Sequence, residues 1–287
     1  MSARYMLVIP MNGFNDQMCV IGQCILYCRK FKRIMLLLWK FGDVVQVCEQ
    51  NEHFIIDDDA QINKIVSNTD LSVYPSFFQG RPLYASECEL GNINGYHTFK
   101  EASVNSYLPL NQDYDEDLII HRCPRYPEDI NYNVRYRCGS SIEAIPLFTL
   151  TDEATKEFTR RRQLLPRAYH SVHIRNTDMV TDLKRFMMNR HAILIQNPLF
   201  LATDSAEALE MVRKKNPRVL FIEKKFPDGN VPLHTSEKHN NLDMICDLLL
   251  LANGKSVTLS RYTGYGVLSR WLQEHQSILR NFQGCTA

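Results

Sequence analysis

The feature that most constrains the fold is an alternation of short apolar runs with helix patterns in the second half of the chain. The helix patterns begin at capping residues such as Thr151 and end before prolines such as Pro166 and Pro217. We predict strands at residues 169–174, 198–203, 219–222 and 256–259, and helices at 152–165, 206–215, 241–252 and 267–280. Strands that alternate with helices pair in parallel, so this half predicts a doubly wound sheet.

The first half begins with a strand, a glycine turn and a helix. The apolar run at 5–9 is closed by Pro10, Gly13 lies in the turn, and a helix is predicted at about 15–30. Backbone N–H groups and the helix dipole at such a turn attract a phosphate or a sugar hydroxyl. Gly13 and Asn15 are therefore candidate binding residues. Further strands are predicted at 34–39, 54–56 and 118–121, with a short helix at 59–66.

The two halves together predict the fold class. Between them, residues 67–111 are rich in Gly, Pro, Asn and aromatic residues and have weak periodicity. We predict an α/β protein with two Rossmann-like lobes that face a central cleft, divided into domains 1–150 and 151–287. In such sheets, ligands bind at the carboxyl ends of the strands.

Composition excludes several classes of partner. Lys and Arg number 33 against 32 Asp and Glu, which gives a formal net charge of +1. This balance does not indicate a surface for nucleic acid or anionic membranes. The apolar runs are far shorter than the roughly 20 residues of a membrane span, and the N-terminal sequence does not resemble a signal peptide. The turn at Gly13 also lacks the dinucleotide and P-loop fingerprints, which argues against NAD binding and ATP hydrolysis.

The cysteines indicate a compartment. The chain has 9 of them, an odd number, and no Cys-x-x-Cys pair. We interpret them as free thiols in a reducing compartment and expect a cytoplasmic protein.

The stretch Tyr169–Asp178 is the strongest functional candidate. An alternating apolar run delivers His173, Arg175 and Asp178 to the point where a strand is predicted to end. An arginine offers a planar fork of donors that suits a diphosphate, and its charge does not depend on pH. The alternative is an ordinary core strand whose Arg and Asp form a surface ion pair.

Three motifs in the second half resemble those of the GDP-fucose-dependent fucosyltransferase superfamily, which has the GT-B fold. They are the run His173–Asp178, the run Leu201–Asp204, and Asp247 followed by the small polar loop around Thr263. The run Gly13–Gln17 also resembles an N-terminal turn of the α1,2 members of that superfamily.

The resemblance implies roles for these residues. Arg175 would hold the β-phosphate of the donor with His173 beside the nucleotide, and Thr263 would bind the diphosphate. Asp204 would lie near the nucleoside, and Asp247 would accept hydrogen bonds from guanine. The residue pattern supports the last role, because a carboxylate among leucines requires donors and the guanine N1–H and N2–H₂ groups supply them. Plain structural roles remain open for Asp204, Asp247 and Thr263.

The general base is left open. Asp178 and Asp182 are candidates, with His97 and His121 as alternatives. The α1,6 enzymes have a lysine directly after the aspartate of the first motif and a glutamate a few residues later. In this chain Met179 follows that aspartate, and Asp182 lies in the neighbourhood of the glutamate.

These motifs predict a glycosyltransferase that moves a sugar, expected to be L-fucose from GDP-fucose, onto a hydroxyl of a glycan acceptor. By the resemblance, residues 151–287 would bind the nucleotide sugar and residues 1–150 the acceptor, with neither cofactor nor metal. Two alternatives stay open. The run Asp57–Asp59 after an apolar strand resembles the Asp-x-Asp site of metal-dependent GT-A enzymes, although such a run also caps helices. The other alternative is a protein that binds nucleotides or glycans without turnover.

Overall fold

The computed structural model describes residues 3–10, 13–48, 54–74, 76, 109–123, 141–177, 179–226 and 241–284. The chain divides into two compact units. Unit 1 comprises Met1–Gly42 and Gln46–Thr149, and unit 2 comprises Asp43–Val45 and Leu150–Ala287. Among the described helices, none combines the length and apolar character needed to cross a membrane.

The described strands and helices follow one another along the chain as α/β repeats. The strands are β1 (Tyr5–Pro10), β2 (Ile34–Leu37), β3 (Val45–Val47), β4 (Ile55–Ile56), β5 (Val73–Tyr74), β6 (Leu118–Cys123), β7 (Phe148–Leu150), β8 (His170–Ile174), β9 (Leu199–Thr203) and β10 (Val257–Leu259). The helices are α1 (Phe14–Phe31), α2 (Asp59–Val66), α3 (Ser141–Ala144), α4 (Asp152–Gln163), α5 (Leu183–Asn189), α6 (His191–Leu194), α7 (Ala206–Lys215), α8 (Asn241–Ala252), α9 (Gly264–Glu274) and α10 (Gln276–Phe282). A single turn of 3₁₀ helix (Ile145–Leu147) follows α3.

Unit 1 is built on a parallel sheet with strand order β4-β2-β1-β6-β5. Apolar side chains of four of its strands and of α2 form a buried cluster: Leu7, Leu36, Ile62, Val73, Leu118 and Ile120. Helix α1 is buried along most of its length, which explains why its sequence is apolar on nearly every face. Strands β3 and β7 pair in a separate two-stranded sheet.

Unit 2 is built on a parallel sheet with strand order β10-β8-β9. In its register, Ile174 lies opposite Thr203 and His173 lies opposite Leu259. The three strands therefore end at the same edge, and the residue that follows each of them is polar: Arg175, Asp204 and Ser260. This common edge positions the candidate site.

The fold class is an α/β protein with parallel sheets, as predicted, and most elements match the sequence prediction. Helices α2, α7 and α8 have the predicted bounds, and Thr151 caps α4 through the N–H group of Ala154.

Two predicted elements were wrong. Residues 219–222 form only an isolated parallel bridge between Leu220 and Phe200, because Leu220 alone exchanges hydrogen bonds with β9. The predicted closing helix at 267–280 is two helices, and it starts earlier, at Gly264. The break is at His275, where the backbone leaves the helical region and the ring stacks on Trp271.

Candidate functional site

The guanidinium of Arg175 is fixed by a carboxylate at the edge of the unit 2 sheet. Its Nη1 atom lies 2.9 Å from Oδ2 of Asp204, and the two side chains are 18% and 6% exposed. Because β8 and β9 are neighbouring parallel strands, the residues that directly follow them lie close together at the same edge of the sheet. The sequence prediction that Arg175 lies at a sheet edge is confirmed.

Asp204 does more than neutralise Arg175. Its Oδ1 atom accepts a hydrogen bond from the Asn176 N–H group at 2.8 Å, and its Oδ2 atom accepts one from the Thr177 hydroxyl at 2.7 Å. The N-cap of α7 is the next residue, Ser205. Asp204 is therefore the anchor of the loop that carries Arg175.

Hydroxyl groups hold the backbone of Arg175 from the other side. The Arg175 N–H group donates to Oγ of Ser260 at 3.1 Å, and the Thr181 hydroxyl donates to the Arg175 carbonyl. The two hydroxyl oxygens lie 3.2 Å apart. Sequence reasoning missed Thr181 and Ser260, although Ser260 directly follows a predicted strand and that position was a usable signal.

Thr263 caps the helix that begins beside the site. Its Oγ1 atom accepts a hydrogen bond from the Gly266 N–H group at 3.2 Å, at the start of α9. A Cβ atom on Gly266 would lie 3.0 Å from Leu259 and 3.1 Å from Nδ1 of His173. A larger residue would require these side chains to shift by a few tenths of an ångström, so glycine favours the close approach of the first turn of α9 to β8 and β10, which places the positive end of the α9 dipole near His173.

His173 lies near the end of β8, the central strand of this edge. It is 6% exposed, and its ring lies 5.2 Å from the ring of Tyr265. Burial lowers the pKa of His173 to about 4, while Asp204 opposes the shift and Arg175 and Lys224 reinforce it. Among the residues that the structure describes, none bonds to its Nδ1 atom. Buried polar atoms are normally hydrogen-bonded, so the Nδ1 atom of His173 is a candidate for a hydrogen bond with a ligand.

Asp247 lies in α8 and is paired with a lysine that sequence reasoning did not identify. The Lys224 ammonium contacts Oδ2 of Asp247, and both side chains are almost fully buried. Burial raises the pKa of Asp247, and Lys224 opposes that shift. The Tyr265 hydroxyl donates a hydrogen bond to the Met244 carbonyl of α8 at 2.7 Å. Lys224 was missed because it lies outside any regular element.

Asp182 is an exposed carboxylate that caps α5. Its Oδ1 atom accepts the Arg185 N–H group at 3.0 Å. It also lines a cavity of about 270 Å³ together with Thr181, Ser260 and Arg261. Asp182 thus borders the hydroxyls that hold Arg175. The other candidate base from the sequence, Asp178, lies outside the described residues, as does His97. His121 is buried within β6, and burial lowers its pKa to about 4.

Gly13 and Asn15 lie in unit 1, at the start of α1. Gly13 is the N-cap residue, and a Cβ atom there would have Asp16 Oδ2 as its nearest neighbour, at 3.9 Å. The position is therefore open enough for other residues. The amide group of Asn15 is buried beside Cys19 and Ser141. These internal contacts give Asn15 a packing role within unit 1.

One residue of the run Asp57–Asp59, Asp58, caps a helix. Asp58 accepts a hydrogen bond from the Gln61 N–H group at 2.7 Å at the start of α2, and Asp57 accepts one from the Val47 N–H group at 3.4 Å. In the part of the chain that the structure describes, no group of His, Cys, Asp and Glu side chains could hold a metal ion.

Solved structures with the same fold are fucosyltransferases. No protein-family model matches the sequence, and no curated protein matches it significantly. The α-1,6-fucosyltransferase NodZ, co-crystallised with GDP, superposes with a TM-score of 0.62 at 16% identity, over 95% of this chain and 93% of that one. The fold is similar to that of GT-B fucosyltransferases.

Two further structures agree. POFUT1 in complex with GDP-fucose matches with a TM-score of 0.57 at 10% identity, over 95% of each chain. FUT1 of Arabidopsis thaliana in complex with GDP matches with a TM-score of 0.52 at 12% identity, over 94% of this chain and 69% of that one. At these identities the likeness establishes the architecture alone.

Proposed function

We propose that this protein is a glycosyltransferase that transfers L-fucose from GDP-fucose to a hydroxyl group of a glycan acceptor without a metal ion. The observation that carries the proposal is the Arg175 guanidinium, fixed by Asp204 at the carboxyl end of β8. The shared fold with proteins crystallised with GDP or GDP-fucose supports the choice of donor.

Donor binding follows from the charges at this edge. Arg175 brings a permanent positive charge and planar donors that match the oxygens of a diphosphate. The start of α9, capped by Thr263, adds backbone N–H groups and the positive end of a helix dipole. His173 and Asp247 lie in the same unit and are proposed to contact the nucleoside. Gly13 and Asn15, at the start of α1 in unit 1, are also proposed to bind the donor, by their resemblance to the N-terminal turn of the α1,2 enzymes.

The reaction is a substitution at the anomeric carbon. The acceptor hydroxyl oxygen forms the new bond to that carbon, the bond from the carbon to the diphosphate oxygen breaks, and a carboxylate takes the hydroxyl proton. Arg175 and the α9 N-terminus stabilise the negative charge that grows on the leaving diphosphate. Asp182, exposed beside the cavity next to Ser260, and Asp178 are the proposed bases.

The protein's organisation and location are part of the proposal. Residues 151–287 would form the nucleotide-sugar lobe, since all of the described site residues except Gly13 and Asn15 lie there, and residues 1–150 would bind the acceptor. Five described cysteines are free, which supports a reducing, cytoplasmic location.

The test is release of GDP from GDP-fucose, with and without a panel of glycan acceptors. Arg175→Ala is expected to lower turnover at least about 100-fold, because one preorganised donor to the charge in the transition state contributes that much. Arg175→Lys keeps the charge and loses the planar fork, so it should retain a part of the activity. Thermal melting checks that both variants fold.

Three results would contradict the proposal. Full activity of Arg175→Ala would show that Arg175 does not hold the donor. Loss of activity on adding EDTA, restored by a divalent ion, would favour metal-dependent transfer. Tight GDP-fucose binding without turnover against any acceptor or water would favour a binding protein.

A further inference from the structure

A buried ion pair in unit 2 has hydrogen-bonding groups that none of the described residues uses. The side chains of Lys224 and Asp247 are only 6% and 7% exposed, so each charge needs a partner inside the protein. Among the described residues, each of the two makes its hydrogen bond with the other. An ammonium group has three N–H donors and a carboxylate has two acceptor oxygens. The pair therefore still offers a donor and an acceptor, side by side.

The pair acts electrostatically on the same two side chains as Arg175. Besides burial, the charges of Arg175 and Lys224 both lower the pKa of His173. Burial raises the pKa of Tyr265, the charge of Asp247 adds to this rise, and the charge of Arg175 opposes it. His173 and Tyr265 are in ring contact. These four side chains and Arg175 thus form one electrostatically connected group in unit 2.

A donor beside an acceptor matches the edge of a particular base. Guanine presents the O6 acceptor next to the N1–H and N2–H₂ donors. Adenine presents an amino donor and a bare N1 acceptor at the same places, so it would meet the pair with both groups mismatched. Uracil presents O4 and N3–H and lacks the exocyclic amino group, so it would match in part.

We propose that Lys224 is a specificity-determining residue of the donor site, whose ammonium donates to guanine O6 while Asp247 accepts from N1–H and N2–H₂. This inference rests on the proposed function, because it requires that the nucleotide of the donor binds at this edge. The positive charge of Lys224 also opposes the rise that burial causes in the pKa of Asp247.

The experiment is calorimetric titration of the full chain with GDP, 6-thio-GDP, UDP and ADP. The 6-thio analogue keeps both donors of guanine and replaces O6 by sulfur, which is a weak acceptor. The wild-type protein is expected to bind GDP about tenfold or more tightly than 6-thio-GDP, and to bind ADP most weakly. In Lys224→Met, GDP binding should weaken by a similar factor and the preference over 6-thio-GDP should disappear.

Two variants control for folding and for general charge. Lys224→Gln keeps an N–H donor that can still contact Asp247. It should therefore retain part of the preference for GDP over 6-thio-GDP. Lys225→Met removes the neighbouring, exposed lysine and should bind every nucleotide as the wild type does. Thermal melting with each variant shows whether it is folded.

The results separate this inference from the proposed function. Equal affinity of the wild-type protein for GDP and 6-thio-GDP would overturn the role of Lys224, whatever the variants do. An unchanged preference in Lys224→Met, or tighter GDP binding by it, would also overturn that role while leaving GDP as the donor nucleotide. Failure of the wild-type protein to bind any of the nucleotides would overturn the proposed donor and this inference with it.

Discussion

Replacing Asp204 by Asn is expected to weaken the positioning of Arg175 while leaving most of the surrounding loop in place. The amide oxygen can still accept the Asn176 N–H group, and the Thr177 hydroxyl can turn to accept from the new amide group. The 2.9 Å contact with Arg175 cannot be replaced, because an amide N–H group would then face a guanidinium N–H group. Asp204→Asn therefore removes one charge-assisted bond selectively.

The size of the effect follows from burial. A hydrogen bond between charged groups contributes about 1.5–3 kcal/mol to stability. Arg175 is 18% exposed, so water can partly replace this contact, and we expect a loss of about 2 kcal/mol in the free energy of unfolding. At roughly 2–4 °C per kcal/mol for a domain of this size, the Tm of unit 2 should fall by about 4–8 °C. GDP binding should weaken as well, because the loosened arginine must be ordered again by the ligand.

The assay is a thermal melt and a GDP titration of each variant. Thr177→Val is the matched control, since it removes the neighbouring hydroxyl bond to Asp204 and leaves the ion pair intact. It should lower stability by about 1 kcal/mol and leave GDP affinity unchanged. If Asp204→Asn melts and binds GDP as the wild type does, the argument that Asp204 positions Arg175 is wrong.

The remaining predictions concern the network behind the site, the α9 cap and pH. Arg161 is buried and forms ion pairs with Glu157 and Asp243, each at 2.6 Å. Arg161→Met should therefore lower the free energy of unfolding by about 2–3 kcal/mol, as measured by thermal melting. The same change at the exposed Arg160 is the control and should leave the Tm unaltered. Thr263→Val should lower stability by about 1 kcal/mol and weaken GDP binding, and Thr263→Ser should restore both; equal melts for the two would show that the cap is unimportant. Burial lowers the pKa of His173 and His121 to about 4, below the value of about 6.5 in the unfolded chain. Their contribution to the stability of the folded state is therefore fully present above about pH 6.5 and is lost as the pH falls towards 4. The loss should reach about 1.4 kcal/mol per pH unit for each histidine, and melts at pH 7 and 5 should show a smaller drop in His121→Leu than in the wild type.

Local patterns of the sequence determined most of the elements. Apolar runs of the right length marked β8 and β9, and capping residues marked the starts of α4 and α7, because these signals depend on residues close together in the chain. The parallel pairing of β8 with β9 followed from the intervening helices, and it was enough to place Arg175 at a sheet edge.

Only the tertiary structure decided how the charges pair. That Asp204 holds Arg175, and that Lys224 pairs with Asp247, depends on contacts between residues far apart in the chain, which no local pattern encodes. Tertiary contacts also reduced the predicted strand at 219–222 to a single bridge at Leu220. The sequence alone thus determined the elements and the edge where polar residues gather, and three-dimensional packing decided which carboxylate meets which cation, because a buried charge pairs with whichever opposite charge the fold brings near.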